Sequence, residues 1–146
     1  MPLKPPFYEQ ETPDSCVPAC LRMVLGSFGV DIAEDELRER CDCTAYGTYA
    51  LMAIDAARQL GFAGTAKHTL TLEELRSVVA DGRHPIVFVD LSPIDGTEDI
   101  HTLVVVGVGR RELTVLDPLK GERSVVLNAF RTAWALRHNL AIIVDH

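Results

Sequence analysis

The chain lacks any hydrophobic run long enough to cross a bilayer. Its longest strongly apolar stretch, residues 103–108, falls far short of the roughly 20 residues that a spanning helix needs. The proline-rich start, residues 1–10, has no apolar core followed by a small-residue cleavage site, so neither a signal peptide nor a membrane anchor is expected. Positive charge is also scarce: 14 basic against 21 acidic residues leave a net charge of −7. Apart from Arg110-Arg111 there is no cluster of lysine or arginine, which argues against nucleic acid or an anionic membrane surface as a partner. The four cysteines, at 16, 20, 41 and 43, fit free thiols in a reducing cytoplasm better than a disulfide framework. No internal repeat, low-complexity tract or linker is visible. A single domain over residues 1–146 is therefore expected, long enough to bury about 70% of its unfolded surface.

Helical grammar fills the first half. Residues 12–15 (Thr-Pro-Asp-Ser) offer caps for a helix over 16–25, with Pro18 tolerated in its first turn and Gly26 and Gly29 ending it. Asp31 is placed to cap a second helix over 33–40, whose acidic run Glu34-Asp35-Glu36 reads as a solvated face. A third covers roughly 48–60 with Gly61 at its stop position, and Thr71 with Glu74 has the spacing of a capping box for a fourth, to about 80. Strand patterns follow at 85–91, 102–108, 113–116, 124–127 and 140–144, with a short helix between the last two, capped by Asn128 and burying Phe130 and Trp134. Helices first and an antiparallel sheet later is an α+β fold, with a helical half packed on a sheet half and a cleft between them.

Two chemically loaded residues bracket the strongest hairpin signal. His101 and Asp117 flank β-branched segments separated by Gly107-Val108-Gly109-Arg110. In a hairpin centred on residue 109, position 101 lies opposite 117 or 118. The even separation puts both side chains on one face. A histidine and a carboxylate in reach of each other are two members of a nucleophilic triad. Cys16, at the start of the first helix, is the candidate third, because the helix dipole and unpaired amides there favour thiolate. Gln10, six residues earlier, can supply a side-chain amide to an oxyanion beside the backbone N–H of the nucleophile.

These residues carry a resemblance. A Gln, five residues, a Cys at a helix start, then a late His opening an apolar strand and an Asp-Pro-Leu-Lys-Gly ending the next resemble the C39 peptidases, over residue 10 to about 134. Those are papain-like cysteine peptidases that process leader peptides of small secreted precursors. The resemblance implies Cys16 as nucleophile, His101 as general base and acid, Asp117 as orienter of the imidazole and Gln10 in the oxyanion hole. It also implies a peptide or precursor-protein substrate, cleaved after small residues of a leader, and a link to export machinery. That link is weaker here, since many relatives are fused to ABC transporters and this chain shows no transmembrane segment. Val17 stands where many relatives have glycine, which implies either a narrower S1 side of the cleft or a divergent substrate.

No cofactor or metal is expected. Cys41-Asp42-Cys43 has only Cys16/Cys20 to complete a four-ligand zinc set, and loop thiols near solvent are the simpler reading. Gly107 and Gly109 precede no helix and form no phosphate loop. Two other functions fit the same residues: a non-catalytic peptide-binding or regulatory module of this fold, and a Cys-dependent acyltransferase or deamidase.

Overall fold

A computed structural model describes residues 3–146; Met1 and Pro2 of the proline-rich start lie outside the described residues. Three helices come first: α1 (Cys16–Ser27), α2 (Glu34–Arg40) and α3 (Ala50–Gln59). They are followed by β1 (Ala66–Thr69), α4 (Leu72–Ala80), β2 (Ile86–Asp90), the short α5 (Ser92–Asp95), β3 (Ile100–Val108), β4 (Glu112–Asp117), β5 (Gly121–Val126), α6 (Leu127–Ala135) and β6 (Leu140–Ile143). The strands form one antiparallel sheet in the order β1-β6-β2-β3-β4-β5.

Helix α1 is apolar nearly all round, and it is accordingly the central helix: Val17, Cys20, Leu21, Met23, Val24 and Leu25 are all buried. With α2 and α3 it covers one face of the sheet through Ile86, Phe88, Val104, Leu116 and Ile142. The opposite face carries a second core, in which Val87, Val89, Leu103, Val105, Leu113 and Val115 pack on Phe130 and Trp134 of α6 and Leu75 of α4. The expected helical half on a sheet half thus holds for α1 to α3, while α4 and α6 give the sheet a helical layer on its other side as well.

Several local expectations are corrected. Helix α1 runs on past Gly26, and Ser15 does not cap it: its hydroxyl accepts from Thr12 N–H (3.0 Å) and donates to Thr12 O (3.1 Å), closing the loop instead. Helix α2 starts after Ala33 with no side-chain cap, so Asp31 plays no such part. Glu34 is not on a solvated face. It is fully buried, takes Arg38 at 2.6 Å and accepts the Glu11 N–H at 3.0 Å, tying the N-terminal segment to α2. Cys41 is no loop thiol near solvent but part of the first core. Helix α6 begins at Leu127, which places Asn128 inside the first turn rather than at the cap.

The hairpin register also differs. Gly109 N–H bonds Glu112 O at 2.8 Å, so the turn centres on Arg110-Arg111, later than expected. A bulge between Val105 and Gly107 then shifts the pairing to Val104 opposite Leu116. Val106 therefore packs against the first core and Val108 against the second. One step on from Val104–Leu116, Asp117 stands across from Leu103, not across from His101. The two residues remain on the same face, as diagonal neighbours.

Candidate active site

The nucleophile candidate owes its position to the first turn of α1. Cys16 is the first helical residue, and Pro18 in the same turn has no N–H to satisfy. Ala19 N–H is the first to find an acceptor, Ser15 O at 3.0 Å. The N–H groups of Cys16 and Val17 have no hydrogen-bond partner among the described residues, as expected at a helix start.

His101 sits near the start of β3, paired with Val89 of β2, and is nearly fully buried. Its Nε2 lies 2.8 Å from Asp117 Oδ1. Asp117, at the end of β4, is also buried, and the same oxygen accepts the Leu119 N–H at 2.9 Å. Burial works against the Asp117 carboxylate, but the bonds from His101 and Leu119 outweigh it and hold its pKa below the ordinary value. Burial likewise favours neutral His101, yet the bonds to Asp117 and Cys16 raise its pKa to about 9. For Cys16, burial raises the pKa, while His101 and Thr102 together lower it by more, so the net direction is down. The thiol is thus more acidic and the imidazole more basic than the free groups, the direction that favours thiolate beside imidazolium.

Cys16 and His101 open onto a cavity of about 690 Å³, together with Val17, Tyr49, Met52, Phe88 and Ile100, and with Lys67 and Arg137 among its cations. Its lining is mostly apolar. Val17 is buried and in this lining. A second cavity, of about 680 Å³ around Phe28, Arg83 and His146, contains none of these site residues.

The profile of the Peptidase C39 family matches residues 4–145. The chain belongs to this family. It is therefore a cysteine peptidase by descent, and solved structures agree on the fold. The peptidase domain of Streptococcus ComA, a bi-functional ABC transporter involved in quorum sensing, superposes with a TM-score of 0.76 at 26% identity, covering 95% of this chain and 97% of that one. A double glycine motif protease from an AMS/PCAT transporter, solved with its leader peptide, gives 0.81 at 19% identity over 99% and 94%. The peptidase domain of Streptococcus mutans ComA gives 0.66 at 22% over 96% and 98%. Comparison with curated proteins found no match.

The fourth residue taken from the family resemblance is engaged differently. The Gln10 side-chain amide donates to Thr12 O (2.8 Å) and Pro13 O (3.2 Å), bracing the loop that leads into Cys16, and its Oε1 is buried without a partner. Its backbone N–H bonds Pro118 O at 2.9 Å, joining this loop to the Asp117-Pro118 corner.

Residues of the site that sequence reading missed are Thr102, Asp95 and Arg123. Thr102 is buried beside Cys16 and accepts from Cys20 Sγ at 3.5 Å. Burial pushes the Cys20 thiol well up, which leaves it a neutral donor. The adjacency of Thr102 to His101 was the one available signal. Arg123 and Asp95 had none, as they lie on separate elements. Among the described residues no group of three or more His, Cys, Asp or Glu side chains converges as a metal site, and no helix is long and apolar enough to cross a membrane.

Proposed function

We infer that the chain is a single-domain, cytoplasmic cysteine peptidase that cleaves a peptide or precursor protein after small residues of a leader, working with export machinery. The observation that carries the catalytic part is the buried 2.8 Å His101–Asp117 pair beside a thiol at a helix start. The substrate class is supported by family membership and by the relative solved with a leader peptide.

In this reading the Cys16 thiolate attacks the scissile carbonyl carbon, and the tetrahedral oxyanion takes the unbonded Cys16 N–H. Gln10 completes the hole through the N–H that now makes its longer bond, to Pro13 O. His101 gives its proton to the leaving amine, so the C–N bond breaks and an acyl thioester remains. Neutral His101 then draws a proton from water, which attacks the thioester and releases Cys16. Asp117 holds the imidazole in one tautomer and orientation throughout.

The test combines turnover and labelling. Synthetic peptides in which a leader ending in two small residues is followed by several precursor residues are expected to be cut after that pair by the wild type and left intact by Cys16→Ala, read by mass spectrometry. Brief iodoacetamide exposure at about pH 6, below the ordinary thiol range, is expected to modify Cys16 ahead of the other three thiols. His101→Ala should slow that labelling by about tenfold or more. Equal labelling of all four thiols, or cleavage that survives Cys16→Ala, overturns the reading.

A further inference from the structure

Asp117 has two oxygens, and His101 uses one. Oδ1 carries the His101 and Leu119 bonds. Oδ2 faces Arg123 of β5, whose Nε lies 3.5 Å away. That Nε–H is buried and has no hydrogen-bond partner; it is too far from Oδ2 for a good bond, yet well within charge range. The rest of the guanidinium is fixed. Nη1 and Nη2 meet Asp95 Oδ1 and Oδ2 at 3.1 and 3.0 Å, a fork-to-fork pair, and Asp95 also receives Lys120 at 3.2 Å. Charge thus alternates in sign from Cys16 through His101, Asp117, Arg123 and Asp95 to Lys120.

Few other charges intervene. His101 faces Cys16 from α1 and Asp117 from β4, while β2 sets the uncharged Val89 opposite it. Asp117 faces His101 and Arg123, with the un-ionised Cys20 thiol also in range. Arg123 is not part of the cavity lining and so is not placed to touch substrate.

We propose that Arg123, clamped by Asp95, is a positioning residue: it fixes the free oxygen of Asp117 and sets how tightly Asp117 holds the His101 imidazolium. The inference rests on the assignment of Cys16, His101 and Asp117 above. A second cation beside a carboxylate offsets part of the carboxylate's pull on the first. Without the Arg123 charge, Asp117 acts on His101 alone and the imidazolium keeps its proton to higher pH. Without the Asp95 charge, Arg123 draws more of Asp117, and His101 gives up its proton at lower pH. The two substitutions therefore act in opposite directions; two independent charges would do so additively, whereas a relay through Arg123 makes the Asp95 effect vanish once Arg123 is gone.

The experiment is an NMR titration of the His101 imidazole in the intact chain, without substrate. The midpoint is expected to rise in Arg123→Gln and to fall in Asp95→Asn, each by roughly half a unit or more. Adding Asp95→Asn to Arg123→Gln should change nothing further, because Asp95 reaches His101 only through Arg123. Arg123→Lys, which keeps the charge, should return the midpoint toward wild type. Midpoints that stay put while melting temperature falls, or that move in the same direction, overturn the proposal. If Arg123→Gln does not fold, Arg123→Met takes its place, with and without Asp95→Asn: an Asp95 effect that vanishes in the Arg123→Met background supports the proposal, and one that persists there sinks it. Shifts as expected in a chain that cuts no peptide would sink only the peptidase reading, and turnover with an unmoved titration only this one.

Discussion

At the scale of single residues, the roles proposed for His101 and Cys16 imply a working pH range. Cys16 loses its proton below the ordinary thiol value, and His101 keeps its own up to about 9. Below the range the thiolate is protonated and cannot attack. Above it the imidazole has no proton for the leaving amine. A plot of kcat/KM against pH is therefore expected to be bell-shaped, with an acid limb below the usual thiol range and an alkaline limb near 9. An alkaline limb near the pKa of free histidine would contradict the raised value. The three catalytic candidates were legible because their residue types and local settings suffice: a cysteine at a helix start, and a histidine and an aspartate at strand ends. Thr102 and Arg123 were not, since their partners Cys20 and Asp95 lie 82 and 28 residues away. Gln10 shows the converse. Its position was legible, but the carbonyls of Thr12 and Pro13 that compete for its amide were not.

Among elements, those with local signals were read best. Thr71 and Glu74 make both bonds of the expected capping box at α4, at 3.1 and 2.9 Å. Thr71→Ala is expected to cost about 1 kcal/mol, visible as a lower melting temperature, with peptide turnover unchanged at lower temperature; a loss of turnover would mean that α4 bears on the site. Strand β1 escaped notice because it is short, mostly exposed and paired only with β6, so neither face imposes an apolar alternation. The cap of α1 was misread for a different reason. Ser15 has two uses for its hydroxyl, and the loop bond to Thr12 prevails over the helix.

At the scale of the molecule, the sheet separates two cores, and only the first underlies Cys16. That division was hidden because α4 and α6 are interleaved with the strands along the chain. It makes a contrast testable. Met23→Ala, in α1, and Phe130→Ala, across the sheet, should each destabilise by about 3 kcal/mol and lower the melting temperature. Well below the transition, only Met23→Ala is expected to slow alkylation of Cys16, several-fold; equal slowing would show that the cores are coupled. The bulge in β3 has a consequence for how such sites vary. Because Val106 is absorbed outside the pairing that sets His101 beside Asp117, residues beyond Val105 can be gained or lost in the hairpin while His101 and Asp117 keep their places. Distance along the chain and distance in space are uncoupled there, and a motif search with a rigid spacing would pass over chains that hold the same pair.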